Sequence, residues 1–180
     1  MSTSKLGRLS SSRLAFVTFA TLLVTGLGVV STAAAAPPTR DPSPLPADPF
    51  TITDTLGNDP CGFEVQAQLS TNKEKLTTFT RRGGATLVTT TGALKVQLTN
   101  LETGDSIKRN ISGPTFSTTN AAGSVTQKTA GPGLWALDPG VAPELPRLVI
   151  TTGKTESVFE PTFRFVSRQG SYEDICAALS

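Results

Sequence analysis

Cys61-Gly62-Phe63-Glu64-Val65-Gln66-Ala67-Gln68-Leu69-Ser70 decides the fold class. Phe63, Val65, Ala67 and Leu69 fall on one side of an extended chain, and Glu64, Gln66 and Gln68 on the other. A half-buried strand needs this period of two, and a helix would scatter the same residues around its axis.

The pattern recurs downstream. After the polar turn Thr71-Asn72-Lys73-Glu74, residues 75–81 form a second candidate strand, and Gly83-Gly84 marks a tight turn into 85–91. Leu94, Val96 and Leu98 make the inward face of the next strand, with Lys95, Gln97 and Thr99 outward. Further candidates are 106–112, 115–119, 124–130, 134–137, 147–152 and 157–167. In the last of these Phe159, Phe163 and Phe165 share a face, opposite Val158, Glu160, Thr162, Arg164 and Val166. The segments are short, rich in Thr and Val, and punctuated by Gly and Pro, as in an all-β domain. No amphipathic helix interrupts them, so sequential antiparallel pairing is expected. The hairpin-like connections predict an up-and-down meander, closed or nearly closed into a β-barrel, with a β-sandwich as the alternative. Residues 172–179 are expected to form a short helical turn docked through Ile175, Ala178 and Leu179.

Upstream, the chain reads as an export signal. Lys5, Arg8 and Arg13 precede an apolar run from Leu14 to Val30, and Ala33 and Ala35 form an A-x-A cleavage pair. The run is close to the ~20 apolar residues of a membrane span. Its Thr and Gly content and small-residue exit favour cleavage after Ala35. The predicted organisation is a signal peptide over 1–35, a proline-rich disordered leader over 36–50, and one all-β domain over 51–180. Pro37, Pro38, Pro42, Pro44, Pro46 and Pro49 make the leader an extended, solvated tether. The expected product is secreted and extracellular, with no membrane attachment after cleavage.

Export leads to an oxidising compartment, where the two cysteines, Cys61 and Cys176, have a single intramolecular pairing. That disulfide would tie the first strand to the C-terminal segment, as closure of a barrel would require. The signal also removes three of the 16 Lys+Arg, leaving 13 basic against 14 acidic residues, a net charge of about −1. A nucleic-acid partner is not expected on that balance, and Arg81-Arg82 reads as an exposed turn flank.

Asp59-Pro60-Cys61-Gly62-Phe63, Asn110-Ile111-Ser112-Gly113-Pro114 and Asp174-Ile175-Cys176-Ala177-Ala178-Leu179 together resemble a group of uncharacterised small secreted all-β proteins of high-GC Gram-positive bacteria. The resemblance spans about 60–179. It implies an exported, paired-cysteine β domain and supplies no activity and no catalytic residues.

Histidine is absent from the chain. That removes Ser-His-Asp and Cys-His triads and His-ligated metals, and an oxidised cysteine pair removes thiolate chemistry. Carboxylates, Lys, Tyr172 and Lys-activated hydroxyls remain. Glu156 and Glu160 are four residues apart and Glu173 and Asp174 are adjacent, but a solvated outer face accounts for them more simply than a catalytic dyad. Glu160 and Arg164 are expected to form a weak surface ion pair. Asn58-Asp59 is too thin for a calcium loop. Gly131-Pro132-Gly133 is a turn rather than a phosphate loop. Asn110-Ile111-Ser112 is a sequon best read as a polar strand segment. Thr89-Thr90-Thr91 and Thr118-Thr119 follow no fixed repeat, so they read as strand formers. Trp135 sits opposite Leu134 and Ala136, on one side with Leu137. It reads as a core plug, with a ligand platform as its alternative role.

These readings predict a monomeric, non-catalytic β domain without cofactor or metal, binding a small ligand, a cell-wall component or a protein. The alternative is an extracellular hydrolase or isomerase working through carboxylates. A protease inhibitor presenting the irregular segment 131–146 is a third reading.

Overall fold

The computed structural model describes residues 37–43, 45–52 and 59–180. The export signal and its Ala33/Ala35 cleavage pair lie outside them.

Two short strands come first, β1 (Thr39–Pro42) and β2 (Phe50–Thr51). Three long, bent hairpins follow. In the first, β3 (Val65–Asn72) runs on into β4 (Lys75–Thr80), turns at Arg82–Gly84, and returns through β5 (Thr86–Thr91) and β6 (Leu94–Asn100). The second is β7 (Ser106–Asn110), β8 (Thr115–Thr119), β9 (Val125–Ala130) and β10 (Gly133–Ala136). The third is β11 (Leu148–Thr151), β12 (Lys154–Glu160), β13 (Thr162–Gln169) and β14 (Tyr172–Asp174), closed by the helical turn α1 (Ile175–Ala178).

The tips of the hairpins lie side by side as one seven-stranded sheet, in the order β1-β4-β5-β8-β9-β12-β13. Their bases divide into a four-stranded sheet, β2-β3-β6-β7, and a three-stranded sheet, β10-β11-β14. The second hairpin makes the division, because β7 pairs with β6 while β10 pairs with β11. Every pairing is antiparallel, as expected.

The closed barrel is not formed. The sheets are open, with β1 and β13 at the two edges of the large one. A meander would keep each strand beside its predecessor, whereas here the chain changes sheet after every tip. Glycine permits the change. At Gly92, opposite the β3–β4 kink, φ is +137° and an added Cβ would run into the Lys73 carbonyl. At the bend of the third hairpin, Gly153 (φ +97°) sits against the Gln169 backbone with equally little room.

The stretch 157–167, expected as one strand, is a hairpin. Pro161 has no N–H to give a ladder and falls at the turn. The three phenylalanines still share a face, because Phe159 stands opposite Phe163 across the hairpin and Phe165 follows two residues later. The leader is also more ordered than a free tether, since β1 pairs with β4 and β2 with β3.

The core lies at the bases. Val65, Ala67, Val96 and Leu98 of the four-stranded sheet, with Ile52, meet Leu148 and Ile150 of the three-stranded sheet, and Ile175 and Leu179 close the cluster. A second cluster, Leu137, Ala142, Leu145 and Val149, packs with Trp135, Phe163 and Phe165. Leu134 and Ala136 face the first cluster and Trp135 and Leu137 the second, the alternation the sequence predicts. Cys61 and Cys176 are bonded, joining chain positions 115 residues apart. Of the three residues expected to dock the tail, Ile175 and Leu179 are buried, while Ala178 is exposed because it points off the outer side of the single turn.

Candidate functional site

Strand register sorts the seven-stranded sheet into two unlike faces. On one, Thr90, Thr115, Thr129 and Thr155 stand in a single row across β5, β8, β9 and β12. Thr90, Thr129 and Thr155 are buried, as is Ser157 in the next row, and the Thr115 and Thr129 hydroxyls are hydrogen-bonded at 3.3 Å. Phe163 and Phe165 belong to this face and lie under Trp135, whose Nε1 donates to Thr151 Oγ1 at 2.8 Å. This is the covered face.

The opposite face is open, and none of its residues is buried. One row of it crosses all seven strands: Arg40, Thr77, Thr89, Phe116, Lys128, Glu156 and Ser167. The neighbouring row is Phe79, Leu87, Thr118, Thr126, Val158 and Arg164. Phe79 and Phe116 are 37% and 43% exposed. A shallow, open groove of about 420 Å³ lies on this face between Phe116, Lys128, Lys154, Glu156, Ser167 and Gln169.

The candidate carboxylates are brought together in part, but all are engaged. Glu156 and Glu160 share the open face, as their spacing predicts. Glu156 pairs with Lys128 at 3.4 Å, and Glu160 pairs with Arg164 at 3.8 Å while accepting from Ser124 Oγ. Glu173 takes Arg109 Nε at 3.0 and 2.9 Å and Arg109 Nη2 at 2.5 Å, a contact from β14 to β7 that clasps the two base sheets. That hydrogen bonding holds the Glu173 carboxyl below its ordinary value. Asp174 caps α1 by accepting from the Ala177 N–H at 3.1 Å. Each of the four therefore already has a donor partner.

Other candidates resolve as structural. Asn110 Oδ1 accepts from the Ser112 N–H at 3.0 Å and from its hydroxyl at 2.5 Å, a local turn. Trp135 does not line the groove. In segment 131–146, Ala142 and Leu145 are buried in the second cluster, while Pro139, Gly140, Pro143 and Glu144 are exposed. Among the described residues no group of His, Cys, Asp or Glu could hold a metal ion, and no helix is long and apolar enough to cross a membrane.

Two features escaped the sequence. The threonine row exists only through register, since its members come from four strands with no common spacing. Glu74, read as part of a polar turn, is 6% exposed. Burial raises its pKa above the ordinary value. No signal in the sequence marks it, since the close approach of the Glu74 backbone to Gly92 arises only in the fold.

Fold and site together define an all-β, disulfide-linked protein with one covered and one open sheet face. Comparison with the known family models, the curated proteins and the solved structures gives no match.

Proposed function

We propose that this chain is a secreted, non-catalytic binding domain that engages a cell-wall component through the open face of its seven-stranded sheet. One observation carries the reading: a broad sheet face with no buried residue, on which Phe79 and Phe116 stand exposed above rows of hydroxyls. Exposed aromatic rings beside rows of hydroxyls offer the apolar and hydrogen-bonding contacts that a sugar polymer takes. The sandwich-like pairing of the two base sheets, with the disulfide, acts as its rigid mount. The export signal and the resemblance to secreted bacterial proteins support a wall rather than a cytosolic partner. The small-ligand reading loses ground because the groove is open and shallow, where a ligand-holding barrel would enclose its guest. The carboxylate-hydrolase reading loses ground because its four acids are already engaged.

The test is sedimentation of the purified monomer with insoluble bacterial cell-wall preparations. We expect the protein in the pellet, and a Phe79→Ala/Phe116→Ala double variant to be retained several-fold less. A Lys95→Glu variant on the four-stranded sheet should behave like the parent. Absence from every pellet, or equal retention of the double variant, would sink the proposal.

A further inference from the structure

We infer that the groove on the open face binds an anionic polysaccharide, a carboxylate-bearing glycan of low charge density. The inference rests on the binding role proposed above and names its ligand class.

Charge points to the sign of the ligand. The open face carries Arg40, Lys75, Lys128, Lys154 and Arg164 against Glu156 and Glu160. That net charge of about +3 stands out in a chain of net charge about −1 beyond its export signal. The covered face of the same sheet carries only Asp41 and Arg168. The cations are exposed, and Lys75, Lys154 and Arg40 stand in none of the sheet's ion pairs. They are placed to meet carboxylates arriving from solvent.

The groove points to the rest of the chemistry. Phe116 presents an apolar ring, on which the C–H face of a sugar can lie. Lys128 and Lys154 flank it, and Ser167 and Gln169 offer hydroxyl and amide groups at the far wall. A ring flanked by hydrogen-bonding groups suits a pyranose better than an alkyl chain, which would want a larger apolar lining. From Phe116 the row continues through Thr89 and Thr77 to Arg40. The whole row from Ser167 to Arg40 covers six strand spacings of ~4.8 Å, about 29 Å, enough for several linked sugars. Charge density separates this ligand from nucleic acid. A nucleic-acid strand brings a phosphate at every residue and favours repeated stacking rings in a strongly basic channel. Here one ring occupies the groove, and Glu156 would oppose a dense row of phosphates.

Affinity electrophoresis of the full chain through gels containing hyaluronan, which carries one carboxylate per two sugars, tests the inference, with dextran as the neutral glycan and a single-stranded oligothymidylate as competitor. We expect retardation by hyaluronan, not by dextran, weakening as salt rises. Phe116→Ala and Lys154→Glu should each weaken it by about tenfold or more, whereas Lys108→Glu on the four-stranded sheet should not. Circular dichroism of each variant separates lost binding from lost folding. Retardation by dextran alone would overturn the anionic class and leave the wall-binding role intact. Preference for the oligothymidylate would assign the face to nucleic acid and overturn the inference. No retardation, or retardation unchanged by Phe116→Ala and Lys154→Glu, would overturn it as well, and wall sedimentation would then report separately on the broader role.

Discussion

Glu74 and Glu173 are carboxylates of the same type that folding pushes in opposite directions. Glu74 is buried, so its charged form is disfavoured and its pKa lies above the ordinary 4.5. The native state then holds its proton more tightly than the unfolded chain. Stability therefore falls as pH rises from about 4.5 through the raised value, and stays at the lower level above it. Glu173 is hydrogen-bonded to Arg109, and its pKa lies below 4.5. Its contribution is present above 4.5 and is lost as pH falls through the depressed value. Both its side chain and that of Arg109 are about a third exposed, at 38% and 34%, so solvent screening keeps this contribution small. We expect Glu74→Gln to raise stability at pH 7 and to flatten the decline above pH 4.5. Urea unfolding of both proteins at several pH values between 4 and 8 checks this. Parallel pH curves for parent and variant would mean that the Glu74 carboxyl is not desolvated as the fold implies.

At the scale of elements, the disulfide is a long-range covalent tie. It joins the segment before β3 to α1, across 115 residues, and so holds the four-stranded and three-stranded sheets to a common end. Removing it restores entropy to the unfolded chain, and Cys61→Ser or Cys176→Ser should cost about 2–5 kcal/mol. Denaturant unfolding with and without reductant measures this, and a cost near zero would show that the base sheets hold together unaided. Much of this level was legible in residues. Alternation in 61–70 and 94–98 placed β3 and β6, and two cysteines admitted one bond. Trp135 and Leu134 were assigned to opposite sides by the same period of two. The sheet arrangement was not legible, for a physical reason. Period and turn chemistry report the local backbone, and a bent hairpin reads locally like two straight strands. Tight backbone contacts such as those at Gly92, Gly113, Gly153 and Gly170 distinguish a strand that stays in its sheet from one that leaves it. Pro161 did carry a readable sign of the third turn, since a proline cannot serve a ladder that is hydrogen-bonded on both sides.

At the scale of the whole molecule, apolar burial is confined to one end. None of the buried hydrophobic residues lies on the seven-stranded sheet; all belong to the base sheets, Ile52, segment 137–145 or the C-terminal turn. The buried side chains of the large sheet itself are Thr90, Thr129, Thr155 and Ser157. Its ladder hydrogen bonds are many, but each contributes only about 1 kcal/mol net, and edge and tip amides face water. Regions with few buried apolar contacts open at lower free energy than the core. We therefore expect native-state hydrogen exchange to divide the hairpins lengthwise. Amides of β3, β6 and β11 should exchange only through global unfolding. Those of β4, β5, β8 and β9 should exchange through a smaller opening that leaves the base intact. Such a split suits a rigid mount carrying an adaptable binding face, and a ligand on the open face should then slow exchange selectively in the tips. Uniform protection from base to tip would show instead that the hydroxyl rows and partly buried Leu76, Leu87 and Val88 make the large sheet as cooperative as the core it extends.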